Sequence, residues 1–144
     1  MAPHDVRLVR YRRHLERAAE RARAELGALE REAARLEAVR QALRAEQAAL
    51  SERLQAAQDV ETIAFLLREW EQCHQRLGAL SADAARVAQA VSDAREAVRA
   101  LWQATERVDR WLSARAEAEA RRHRRRWARA LEEMLAARSA PEEV

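Results

Sequence analysis

Residues 50–63 read LSERLQAAQDVETI, and the fold is decided inside them. Upstream, apolar residues recur every seven positions at Leu8, Leu15, Ala22, Leu29, Leu36, Leu43 and Leu50. Four residues after each stand Arg12, Ala19, Leu26, Ala33, Arg40, Gln47 and Leu54. That is a heptad seam with polar gaps at Arg12, Arg40 and Gln47. Continued past Leu54, the register lands on Ala57, Glu61, Ala64 and Arg68, and it fails. Downstream a new seam opens at Ile63 and runs through Leu66, Trp70, Cys73, Leu77, Leu80, Ala84, Val87, Val91, Ala94, Val98, Leu101, Thr105, Val108 and Leu112. Thr105 alone is not apolar, and such sustained regularity specifies a coiled coil.

The phase is therefore reset between Gln55 and Thr62. A reset marks either a turn or a skip within one continuous helix. Asp59 and Thr62 are both helix-capping residues, and Glu61 suits a first helical turn. The two seams, residues 8–54 and 63–112, match in length, which favours the turn. A fold near residue 58 sets Leu8 opposite about Val108. The expectation is an all-α protein: a long two-helix antiparallel coiled-coil hairpin in a single domain. Helix one is expected over about 5–56, the turn over about 57–61 and helix two over about 62–138. The second helix then overhangs the first, with a basic overhang over 113–138. Along the overhang the seam is lost at Arg115 and Glu119. It resumes out of phase at Ala116, Ala120, His123, Trp127, Leu131 and Met134, a stutter that locally unwinds a supercoil.

Composition supports this. The chain has 144 residues but only 2 Gly and 2 Pro, too few for the turns of a globular domain. The prolines, Pro3 and Pro141, interrupt nothing between them. Ala, Leu, Arg and Glu dominate, and all are strong helix formers. Hydrophobic content is 49% but largely Ala, so the apolar surface suits a narrow seam better than a thick core. All 27 basic residues are Arg, which a GC-rich genome explains without function. On the outer faces Glu20–Arg23, Glu32–Arg35, Glu37–Arg40, Asp83–Arg86, Glu96–Arg99, Glu106–Arg110 and Glu117–Arg121 have ion-pair spacing.

No residue is assigned to catalysis, to a metal or to a cofactor. Gly27 and Gly78 are isolated, so there is no phosphate-cradling loop. Neither an HExxH nor a paired CxxC spacing occurs. Cys73 lies on the seam and reads as a small buried hydrophobe, with His74 beside it on the surface. A single cysteine excludes an internal disulfide and points to a reducing compartment. Met1 to His14 lacks an apolar signal core, and no run is long and apolar enough to span a membrane. The expectation from these features is a cytosolic protein, unless something carries it elsewhere.

Three features exceed the scaffold. Residues 115–138 hold eight Arg and four Glu, and Arg121, Arg122, Arg124, Arg125, Arg126 and Arg129 follow one another with no acid between. Such a run is either a solvated face or a partner's contact. Trp127, Leu131, Met134 and Leu135 form an apolar stripe there with nothing from their own chain to cover it. Trp102 and Trp111 fall on the seam's flanks. At the turn, Phe65 and Leu67 either contact a partner at the tip or pack the turn itself.

The start with Leu8, Tyr11 and Leu15, the central hairpin, the apolar and aromatic residues after it, the tryptophans along helix two and the ending Arg129-Ala-Leu-Glu-Glu-Met134 together resemble the FliJ/YscO family. The resemblance covers most of the chain and is clearest from Thr62 to Arg138. The absence of Lys and the Arg block at 121–126 depart from it in detail. It implies a monomeric coiled-coil stalk that engages the hexameric export ATPase of a bacterial type III (flagellar or injectisome) secretion system. It further implies contact with the membrane export gate, on its cytoplasmic side, and with export chaperones. In that setting Arg121–Arg126, Trp127, Arg129, Leu131 and Met134 are the expected partner contacts, and the protein sits at the inner membrane's export apparatus. Two rivals remain at this stage. One is a nucleic-acid-binding helical arm, disfavoured by a net charge of only +3. The other is a parallel homodimer of one unbroken helix.

Overall fold

The computed structural model describes residues 3–140. Two helices account for nearly all of them: α1 (Pro3–Ala56) and α2 (Val60–Ser139). They pack against each other as an antiparallel hairpin, with no strand among the described residues. One unbroken helix is thereby excluded. The chain divides into two compact units, one of residues Ala18–Ala100 and one of Met1–Arg17 with Leu101–Val144.

The turn occupies residues 57–59 and uses no glycine. None of the described residues other than glycine has a positive φ, and neither glycine has one. The reversal is therefore built from ordinary backbone conformations, which is why missing Gly and Pro did not prevent it. The Ala57 N–H donates to Leu54 O at 3.4 Å and tightens the end of α1. Asp59, not Thr62, caps α2: its Oδ2 accepts from the Thr62 N–H at 3.2 Å, and its carbonyl accepts from Ile63 N–H at 3.1 Å. The helix accordingly starts at Val60, slightly before the expected boundary. The hydroxyl and N–H of Thr62 hold the Asp59 carboxyl below the usual aspartate range.

In the first unit the seam is filled as the heptads demand. Leu36, Leu50, Leu66, Cys73 and Val91 are buried, with Ala19. Next to the turn, Leu50, Leu66 and Cys73 form a cluster packed by Leu43, Leu54, Ala57 and Trp70. Leu66 is 1% exposed, and sealing such a side chain from water stabilises by about 1.5–3 kcal/mol. Polar links join the helices at the same level, one of them relayed along α1. Trp70 Nε1 donates to Ser51 Oγ at 3.2 Å, and Ser51 Oγ donates to Gln47 O at 3.0 Å. Gln47 Nε2 meets His74 Nδ1 at 3.4 Å, while the His74 ring stacks on Trp70 with centroids 5.1 Å apart. The gap at Gln47 is thus closed by a partner. The gap at Arg40 is not: Arg40 reaches Glu37 at 3.8 Å, and its buried Nε has no hydrogen-bond partner.

In the second unit Leu15 and Val108 are buried, and Arg12 fills its seam slot by pairing with Asp109 across the interface and Glu16 on its own helix. The hydrogen bond and charge of Asp109 raise the Arg12 pKa further. Arg12–Asp109 and Asp5–Arg115 bracket Leu8, so Leu8 stands level with about Leu112, not Val108. The register differs from the expected one because α2's first turn rises past the end of α1. Val60, in that turn, is 80% exposed. Of the outer ion pairs, Glu32–Arg35, Glu37–Arg40, Asp83–Arg86 and Glu106–Arg110 close. Glu20–Arg23, Glu96–Arg99 and Glu117–Arg121 are not among the ion pairs of the described residues.

Two measurements test this packing. Val91→Asp places a carboxylate in the dry seam and should destabilise by roughly 3 kcal/mol in urea unfolding. Arg86→Ala, on a solvated face, should stay within about 0.5 kcal/mol of wild type. Equal effects would refute the seam. At the turn, the depressed Asp59 pKa contributes stability above the unfolded value of about 3.9, lost as pH falls through the folded value. Asp59→Asn keeps a capping side chain without that titration. The melting-point difference between wild type and Asp59→Asn should therefore shift toward the variant on acidification; a pH-independent difference would remove Asp59 from the cap.

Candidate partner-docking face

Arg115 marks where α1 stops covering α2. It occupies the next seam slot after Leu112, and its Nε lies 3.1 Å from Asp5 Oδ1 of α1. The contact is an ion pair at close range without hydrogen-bond alignment, and the buried Asp5 Oδ1 has no hydrogen-bond partner among the described residues. The Arg115 guanidinium also sits over the Trp111 ring, 4.8 Å from its centroid. The last ion pair with α1 among the described residues is thus at Arg115; Ala118 is half-buried, and the fully exposed stretch begins at Glu119. Sequence reading treated Arg115 as a broken seam position. The signal that identifies it is Asp5, an acid in the first turn of α1.

Beyond Arg115 helix formation rests on composition alone. Residues 116–139 contain no Gly, no Pro and no β-branched side chain. α2 runs through the stutter without interruption to Ser139. Its end is tied by Ala140 N–H to Ala136 O at 3.1 Å and by Ser139 Oγ to the same carbonyl at 3.2 Å. Every residue from Glu119 to Ser139 is exposed. Trp127 is 65% exposed, Met134 69%, Leu135 57% and Leu131 42%. At about 100° per residue these four share one side of the helix. Arg122, Arg125 and Arg129 fall on the opposite side, with Arg121 and Arg126 on the shoulders; Glu132 and Glu133 share that polar side, and Arg124 lies within the arc of the apolar stripe, one turn before Trp127. The candidate residues thus lie together on one helical segment, but they divide between two faces. No α1 side chain reaches them among the described residues.

At the hairpin turn Phe65 and Leu67 are about half exposed, at 53% and 51%. They stand apart from the cluster that packs the turn, and two residues' separation sends them to different sides of α2. Val60 was not singled out from sequence, although with Ala64 and Leu67 it makes an apolar line of helical spacing. Trp102 and Trp111 remain half exposed on the flanks.

Cys73 is 3% exposed, and its Sγ donates to Leu43 O at 3.2 Å. Burial, followed by the charge of Glu46, pushes its thiol pKa up. A raised pKa lowers the thiolate fraction at neutral pH. Iodoacetamide should accordingly modify native Cys73 far more slowly than the urea-unfolded chain at the same pH. Equal rates would place the thiol outside the seam.

No family model matches the chain, and neither a curated protein nor a solved structure matches it.

Proposed function

We propose that this chain is a non-enzymatic stalk and adaptor of a bacterial type III protein export apparatus. In this reading the α2 extension engages the hexameric export ATPase, and the chain links that ATPase to the membrane export gate and to export chaperones. The observation that carries it is the exposed stripe of Trp127, Leu131 and Met134 on a helix ringed by arginines and left without an α1 partner. Large apolar side chains on a helix are costly to leave in water, and a Trp in such a patch is a typical binding anchor. Arginines around it steer association with an acidic surface and fix its geometry. A ring lumen contacts an inserted helix on all sides, so both the apolar and the basic faces have a use there. Phe65 and Leu67, exposed near the turn, are the contacts assigned to the gate or chaperones. The hairpin layout and its FliJ/YscO-like ending support the same assignment, with the protein acting as a monomer in the cytoplasm beside the inner membrane.

The test uses the purified chain and a bacterial type III export ATPase. Trp127→Ala should weaken ATPase binding by more than about 1 kcal/mol, roughly five- to tenfold. Removing residues 116–144 should leave the hairpin folded, because its seam ends at Arg115, and should abolish ATPase stimulation. RNA binding should be weak and should disappear steeply as salt rises. A truncated chain that stimulates the ATPase as well as the full chain would overturn the assignment to the extension.

A further inference from the structure

We infer that the α2 extension also binds anionic lipid surfaces, lying along the headgroup layer with Trp127, Leu131 and Met134 inserted and its arginines held within the negative potential of that surface. The inference needs no export ATPase and stands apart from that reading. It starts from the division of the extension into two faces. The apolar side chains occupy an arc of about 100°, while Arg122, Arg125 and Arg129 lie across the helix from them. A single helix or a flat protein patch docking on the apolar stripe would leave those three arginines about 10 Å away on the far side, in solvent. A charged plane acts differently. Its potential extends over a Debye length of about 8–10 Å, so arginines around the whole circumference gain from it. A polyanion such as RNA would reward the arginines but leave Trp127 (65% exposed) and Met134 (69% exposed) in water.

Charge and chain structure point the same way. From Ala120 to Leu131 there are six Arg and no acid, and Glu132 and Glu133 follow on the same polar side, so the positive charge is concentrated around Trp127. A basic face opposed to Trp, Leu and Met is the composition of a helix that rests in a membrane interface. Arg124, within the arc of the apolar stripe, has a stem long enough to carry its charge out to the headgroups. The segment is already helical and continuous with the packed part of α2, so binding does not have to nucleate a helix. No helix among the described residues is long and apolar enough to cross a membrane, which makes the contact peripheral.

Co-sedimentation of the full chain with vesicles tests the proposal. One set is phosphatidylcholine alone, and the other is equal parts phosphatidylcholine and phosphatidylglycerol. The chain should sediment with the anionic vesicles and not with the neutral ones, and should be released by high salt. Leu131→Asp and the triple variant Arg122→Gln/Arg125→Gln/Arg129→Gln should each weaken binding by about tenfold or more. Both alter residues that nothing packs against, and unchanged thermal unfolding verifies the hairpin. No sedimentation with anionic vesicles, or equal sedimentation with neutral ones, overturns the proposal. So does full binding by the triple variant, which would make the far arginines bystanders. Full binding by Leu131→Asp would instead identify a simple polyanion site, equally able to hold RNA. A chain that fails on vesicles yet loses ATPase binding with Trp127→Ala leaves the export reading intact, and the reverse pattern removes only that reading.

Discussion

A two-helix hairpin has one surface to bury, and it buries that surface only where both helices are present. The remaining features follow from this constraint. Leu36, Leu50, Leu66 and Val91 can be buried because a facing helix supplies the other half of each layer. The outer faces are left to charged residues whose pairs add little individually. Reversal within three residues is what brings the facing helix from the same chain. Asp59 takes part in that reversal by satisfying the first free N–H groups of α2 at the point where it restarts.

The seam tolerates polar residues unevenly, and partner geometry explains why. Arg12 meets Asp109 across the interface and Glu16 along its own helix, so its charge is compensated on both sides. Gln47 is met by His74, whose ring is itself held flat against Trp70. Arg40 has only a distant Glu37 and leaves its Nε without a partner. A buried donor without a partner forfeits its hydration for nothing in return. Arg40 is therefore the weak slot of α1, while Arg12 also fixes the register.

Every seam position read from the heptads, from Leu8 to Leu54 and from Ile63 to Leu112, is buried or half-buried in the structure. Periodicity identified them because a coiled-coil face repeats along the chain and needs no knowledge of the partner. It did not determine the axial offset between the helices, since a heptad pattern specifies a face and leaves the stagger to the turn. The misplacement of Leu8 against Val108 came from there. The same offset hid the ion pair of Asp5 with Arg115, because two charges far apart in sequence become partners only once the register is known. Val60 escaped notice for a related reason: its exposure depends on how far α2's first turn rises beyond α1.

The candidate face was legible as residue types and not as geometry. Arg121 to Arg129 and the stripe of Trp127, Leu131 and Met134 are visible in the sequence, whereas the end of α1's cover at Arg115 is a property of the packed structure. Its position matters physically. From Glu119 to Ser139 every residue is exposed, so no packed face adds to the helix's own propensity. Continuity with the packed part of α2 supplies the nucleus, so the extension only has to propagate a helix that its composition favours. A partner that binds the stripe meets side chains already arranged on one face. Binding energy is then spared much of the ordering cost that a disordered segment would incur. Shortening α1 from its N-terminal side would remove Asp5 and with it the ion pair that ties Arg115 to α1. The point where free helix begins is thus set by α1, and through it the length of preformed face offered to a partner.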